Sequence, residues 1–396
     1  MKPALIGAIS LLAAGAARAA IVFTPHVSEY AELPRGTYGD ETLVYSSIDK
    51  IFDADGRRVP LGEGAIPPGD SIDALLVLSR WVWIGNLFED THIPILSSHD
   101  QVYRAVVVGG HEQGDGAIPG LSREFGQRSG GSGLGDLFLL AGVYGEKYRW
   151  GPLHGNGLYA FTVKLPVGEY DRRSLLNIGT NYWSFIPQYA FHQDWFGRLS
   201  LDATAALQIN GRNDKPAYGG LTPTDPADVL NLEGNLSFKF SNRWYLEAGL
   251  SWYRSLGANR YDQVTLNFQD QPVPPTTACN TLMVPAAQCN LARAFYLQPV
   301  PGAYRDRGLS DTLVTAGLSY IYRASTVLSL RAAIPVAGRG GQIGVPYNVY
   351  AAPPDGPAPA PPVSTLPATL TNVQEAGSVS ASPYYELRLV FLLFAP

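Results

Sequence analysis

The chain has 396 residues, with 29 Lys and Arg against 34 Asp and Glu, for a formal net charge of −5. No basic stripe runs along it, which excludes the electrostatic footprint of a nucleic-acid partner. The 42 Gly, 31 Pro and 22 Tyr, beside 2 Met and 2 Cys, suit strands joined by turns and not a helical bundle.

In chain order, Met1-Lys2-Pro3 opens a basic start, Ala4–Ala17 is an apolar run, and Ala17-Arg18-Ala19 is a small-residue cleavage pattern. These predict a signal peptide over 1–19, because the run is shorter than the ~20 residues a membrane-spanning helix needs. No later apolar run is long enough to cross a bilayer as a helix, so an exported chain that enters a membrane does so with strands. Residues 20–40 are expected to be a periplasmic or lumen-plugging segment, and 41–396 a barrel.

Strict alternation of apolar and polar residues dominates the remainder of the chain. From Leu199 to Asn210, Leu199, Leu201, Ala203, Ala205, Leu207 and Ile209 share one face, with Ser200, Asp202, Thr204 and Gln208 on the other. The same pattern runs through 159–165, 230–240, 244–253, 328–334 and 385–393. It predicts about twelve strands, at 41–51, 71–83, 87–97, 135–148, 156–168, 181–193, 198–211, 228–241, 244–257, 311–323, 326–338 and 383–394. Residues 101–108 form a further strand or extend the third.

The links after the even-numbered strands are short and the others long, with 264–306 and 340–382 the longest. Short periplasmic turns and long outer loops are the build of an outer-membrane barrel, and an even strand count puts both termini in the periplasm. Aromatics such as Trp81, Trp83, Trp150, Trp195, Trp244 and Tyr320 gather near the short turns, and a second, looser group near the far strand ends, as two interfacial girdles would. The proline-rich Ala351–Pro362 reads as an extended excursion in the last outer loop. The fold class is therefore all-β, a closed antiparallel transmembrane β-barrel in the cell outer membrane, with membrane lipid and the barrel assembly machinery as partners.

On such a barrel the charged members of the alternation face the lumen, since a charge facing lipid costs a few kcal/mol near the midplane. The lumen-lining candidates are Lys164, Asp202, Glu233, Lys239, Glu247, Arg331, Glu386 and Arg388. Cys279 and Cys289 are placed to form one loop disulfide in an oxidising compartment. No catalytic, cofactor or metal site is expected. His192, Ser200 and Asp202 flank one turn without a recognised hydrolase motif. His92 and His99, near Glu89, Asp90 and Asp100, read as polar loop residues. The glycine-rich 129–136 lacks the lysine and helix of a phosphate loop.

Several stretches resemble, in order, the outer-membrane family named for the phenol meta-degradation pathway. They are Leu33-Pro34-Arg35-Gly36-Thr37, Asp53-Ala54-Asp55-Gly56-Arg57, Gly133-Leu134-Gly135-Asp136, Lys164 to Asp171, Asn177 to Trp183, and Asn210 to Asp214. Val167 and the long proline-rich final loop depart from the family pattern. The resemblance implies an outer-membrane protein that helps small hydrophobic or aromatic compounds cross. The expected function is passive diffusion of a small organic solute, gated by loops or by 21–38 folded into the lumen. The alternatives are a lipid-hydrolase barrel and a structural or adhesive barrel.

Overall fold

The computed structural model describes residues 29–394 except 53–54, 61–70, 115–129, 146, 172–176, 216–224, 258–263, 268–293, 300–307, 324–325, 341, 345–346, 353–363, 367–371 and 375–378. The expected signal peptide over 1–19, and Cys279 and Cys289 with their expected disulfide, lie outside the described residues.

Twelve long strands form the wall. They are β1 (Gly36–Ile48), β2 (Ile72–Gly85), β3 (Gln101–Gly114), β4 (Gly130–Tyr144), β5 (Leu153–Leu165) and β6 (Ser184–Trp195) in the first half. The second half is β7 (Leu199–Asn210), β8 (Val229–Lys239), β9 (Trp244–Ser255), β10 (Ser310–Arg323), β11 (Thr326–Arg339) and β12 (Tyr384–Phe394). Each pairs antiparallel with its neighbour in sequence, and β1 pairs with β12 from Thr37↔Phe394 to Ser46↔Tyr384. The ring has no open edge, so the backbone groups of the wall are paired within it, as a lipid environment demands.

The two faces are inverted relative to a water-soluble sheet. Leu246, Leu250, Leu330 and Leu387 are 43–59% exposed. Their sequence neighbours Glu247, Ser251, Arg331 and Glu386 are at most 5% exposed. Apolar side chains lie outward and charged ones inward, which is the arrangement for lipid outside and a polar interior. Glu41 departs from this. It sits on the outer face of β1, and Ser79 of β2 donates to its carboxylate at 2.6 Å.

The third strand is the main correction. Residues 87–97 were expected to form it, yet they make turns and a short helix, Pro94–Ser98, with proline at its first turn. The strand is Gln101–Gly114, which contains the 101–108 expected as a further strand or an extension of the third, and the link before it spans 86–100. The reason is that over 102–108, apart from Arg104, β3 is apolar on both faces: Val102, Val106 and Val108 are buried in the lumen, and Ala105 and Val107 face outward. A strand with two apolar faces carries no alternation to read. β1 likewise begins at Gly36, five residues ahead of the expected 41, so the expected plug gives its last residues to the wall.

The two longest loops are not independent excursions. Val264–Asn267, Ala294–Pro299, Tyr347–Ala352 and Ser364–Leu366 form one four-stranded sheet that joins the loop after β9 to the loop after β11. Ala351 and Ala352, the start of the proline-rich stretch, pair within it. The remainder of that stretch lies outside the described residues. Lys50–Phe52 pairs with Arg58–Pro60 and Val379–Ser380 in a separate small sheet. Ile51 and Phe52 are at most 2% exposed.

If Leu250, midway along β9, faces hydrocarbon, Leu250→Arg destabilises the barrel by about 2–4 kcal/mol in lipid vesicles. Reversible denaturant unfolding measures it. A cost within the few tenths expected of an exposed site in water would contradict the inverted arrangement.

Candidate functional site: the barrel lumen

The lumen is lined unevenly. On β2 to β5 its inward residues include Leu76, Leu78, Val106, Phe138, Leu140 and Leu158, all buried and apolar. On β7 to β12 they include Gln208, Asn231, Glu233, Glu247, Arg331 and Arg388. The wall of β2 to β5 is the more apolar, with Arg80, Arg104, Asp136 and Lys164 set into it, and the wall of β7 to β12 is polar and charged.

The polar wall is cross-linked over strands. Arg331 on β11 reaches Glu247 on β9 at 2.6 Å and lies 3.9 Å from Glu386 on β12. Asn235 donates to Glu247 at 3.2 Å, and the Ser319 hydroxyl also donates to it. Gly317 on β10 lies between these partners, paired with both Glu247 and Arg331. A side chain there would press on Arg331 at 3.2 Å, so its absence opens the path across β10.

The N-terminal segment enters this interior. Arg35 is fixed at the mouth by Asp100 and Glu89, each at 3.0 Å. Asn156 on β5 accepts from the Glu32 amide at 3.2 Å and donates to the Tyr30 carbonyl at 2.9 Å. Asp202 on β7 accepts from the Tyr30 amide at 3.0 Å and bonds His192 at 2.9 Å. The Glu29 carboxylate then sits among Arg80 at 3.3 Å, Arg104 at 3.4 Å and Arg388. Asp40 on β1 pairs with the same Arg80 at 2.9 Å and with Arg388. Burial alone would raise the Glu29 carboxyl, but Arg388, Arg80 and Arg104 outweigh it and hold it down at about 2. Burial pushes the Tyr30 phenol up, so it stays neutral.

Two cavities flank this stretch and share Glu29, Tyr30, Arg80, Arg104, Leu140 and Gln188 in their linings. One, of about 100 Å³, runs on toward Phe138, Gln208 and Glu233. The other, of about 140 Å³, runs toward Ile84, Val102, Leu158 and Val390. Tyr30 and Glu29 stand between them.

A second cluster lies where the outer loops begin. Asp136 on β4 accepts from the amides of Gly168 at 3.2 Å and Thr180 at 3.0 Å, and lies 3.9 Å from Lys164 on β5. Lys164 is fully buried, donates to Thr180 and sits 3.6 Å above the Tyr182 ring. Gly168 packs directly on the backbone of Gly135 and Asp136, where no side chain fits. Asn181 donates to Asn213 at 2.8 Å, and the Gly211 amide to the Trp183 carbonyl at 2.8 Å. Four of the stretches that carry the family resemblance thus meet at one rim, and a fifth supplies Arg35.

Of the lumen-lining candidates, Lys164, Asp202, Glu233, Glu247, Arg331, Glu386 and Arg388 are buried in the interior. Lys239 is half-buried at the periplasmic end, 5.8 Å from the Tyr245 ring. The structure joins Arg388 to Glu29, and Arg331 to Glu247 and Glu386, and keeps Lys164 apart at the outer rim. Sequence reasoning missed Glu29, Asp40, Arg80 and Arg104. The last two stand in apolar runs without alternation, and Glu29 precedes the first strand. His192 and Asp202 do pair, but no hydrogen bond joins Ser200 to His192 among the described residues. Asp202 instead accepts from the Tyr30 amide of the N-terminal segment.

Asp136→Asn removes the charge that holds Lys164 and weakens acceptance from two loop amides. Breaking a buried ion pair costs about 3–5 kcal/mol. Limited proteolysis of intact cells should then cut within 166–183 far faster than in the wild type, and an unchanged rate would show that this cluster does not hold the loop.

The family model described as "Putative MetA-pathway of phenol degradation" matches residues 49–273, more than half of the chain. No curated protein sequence matches. Among solved structures, an outer membrane channel from Pseudomonas putida F1 is similar at 15% identity and a TM-score of 0.56, over 92% of this chain and 98% of that one. The outer membrane phospholipase A of Escherichia coli aligns at 9% identity and a TM-score of 0.35, over 91% and 98% of the two chains, too remote to bear on chemistry. The TodX monoaromatic hydrocarbon channel aligns at 10% identity and a TM-score of 0.31, over 92% and 91%, with the same standing. With the first of these sharing its fold and the family model covering most of its wall, this chain belongs to the family described as "Putative MetA-pathway of phenol degradation" and is an outer-membrane β-barrel.

Proposed function

We propose that this protein is a passive channel for small apolar organic molecules, opened and closed by the N-terminal stretch 29–35. One observation carries the reading: two lumen cavities meet at Glu29 and Tyr30, so displacement of that short stretch joins them. A twelve-stranded barrel has a narrower interior than the aqueous 16-stranded porins. Its oily wall on β2 to β5 favours a solute that leaves water readily. The family's association with phenol degradation points to the same solute class.

We read the protein as a non-enzyme. A lipid hydrolase needs its nucleophile and base facing the bilayer, whereas His192, Ser200 and Asp202 are buried in the lumen. The alternating last strand, Tyr384–Phe394, is the segment we assign to recognition by the barrel assembly machinery.

Loss of the plug's anchors should raise permeability. Each 1.4 kcal/mol of docking removed raises the undocked population about tenfold, so Glu29→Gln combined with Tyr30→Gly should raise toluene entry into reconstituted vesicles by at least that factor. Equal entry for wild type, variant and empty vesicles would refute the channel.

Acid provides a second test. Docking lowers the Glu29 carboxyl from near 4.5 to about 2, so it is fully favoured above about pH 4.5 and weakens as the pH falls toward 2. Single-channel conductance should rise across that window in the wild type. In Glu29→Gln it should already be high at pH 7 and lack this step.

A further inference from the structure

Three guanidinium groups, Arg80, Arg104 and Arg388, face two carboxylates, Glu29 and Asp40. The two carboxylates differ in origin. Asp40 belongs to β1 and stays with the wall, while Glu29 is delivered by the inserted segment. When that segment leaves, Arg104 loses the carboxylate that lies within ion-pair distance of it among the described residues, and Glu29 is withdrawn from Arg80 and Arg388. A charge left unpaired in such a place is costly, so the vacated position favours another anion.

Arg104 carries the sharpest sign. Its carboxylate contact among the described residues is Glu29, and at 3.4 Å it is long. Its buried Nε has no hydrogen-bond partner among the described residues. A guanidinium offers a fork that matches a carboxylate with two parallel bonds, and here that fork is incompletely used.

The adjoining cavity states what the anion carries. Its volume is about 140 Å³, and Val82, Ile84, Val102, Leu140 and Leu158 form its apolar side. An apolar cavity of about 150 Å³ accommodates benzene. The combination of an arginine cluster and a ring-sized oily recess suits a molecule with one carboxylate and one small apolar body.

We propose that the lumen binds a small apolar carboxylate of about single-ring size, with its carboxylate on Arg80, Arg104 and Arg388 in the place of Glu29. Its apolar body lies against the wall of β2 to β5. Glu29 is then an internal copy of the solute's charged group. Solute and segment exclude each other, so solute binding favours the undocked segment by linkage. This names the solute class of the channel proposed above and rests on that reading for passage, though not for binding.

Calorimetry on the full-length protein in detergent micelles tests it, with benzoate as probe and benzamide as its neutral isostere. Benzoate should bind wild type at least about tenfold more tightly than benzamide. Glu29→Gln, which removes the competing carboxylate, should tighten benzoate about tenfold further, and Arg104→Gln should weaken it about tenfold. Equal affinity for the two probes in wild type and in Glu29→Gln overturns the proposal. If Glu29→Gln does not fold, the benzoate-to-benzamide ratio of wild type and its loss in Arg104→Gln decide the matter. Toluene entry into vesicles is measured in parallel. Entry without benzoate selectivity sinks the carboxylate site alone, and benzoate selectivity without entry sinks the channel alone.

Discussion

A backbone that crosses hydrocarbon must pair its N–H and C=O groups within itself, because lipid offers none in return. In this chain that constraint is met by the seam of β1 on β12, ten residue pairs from Thr37↔Phe394 to Ser46↔Tyr384. Closure fixes which face of each strand is inside. It therefore decides that Arg331 and Arg388 are sequestered while Leu330 and Leu389 meet lipid.

Once inward, the charges have to be neutralised in a confined space. On β9 to β12 the wall does this for itself, with Arg331 shared between Glu247 and Glu386. On β1 to β3 and β12, Arg80 and Arg388 share Asp40, and Arg104 has no wall carboxylate within ion-pair distance among the described residues. The segment before β1 supplies the missing carboxylate. The arginines of the wall thus create the docking site for Glu29.

The outer rim follows a different logic. There the anchors are backbone amides on one buried carboxylate, Asp136, with Lys164 and the Tyr182 ring closing the cluster. A carboxylate that accepts from two amides twelve residues apart in the loop between β5 and β6 sets that loop's path with few residues.

The sequence by itself determined the architecture. Alternation at period two places Glu247 and Leu246 on opposite faces whatever their neighbours, and the turn lengths order the strands. It also marked Lys164, Glu247, Arg331 and Arg388, because each is a charge inside an alternating strand. It set the third strand at 87–97, with 101–108 only as a further strand or its extension, because Val102, Val106 and Val108 blur the alternation of β3 and a proline-led helix, Pro94–Ser98, holds residues of strand-like composition. Only the tertiary structure decided what the lumen charges do. Glu29 lies 51 residues from Arg80 and 359 from Arg388, and no local pattern registers a contact made by a segment that folds back through a closed ring.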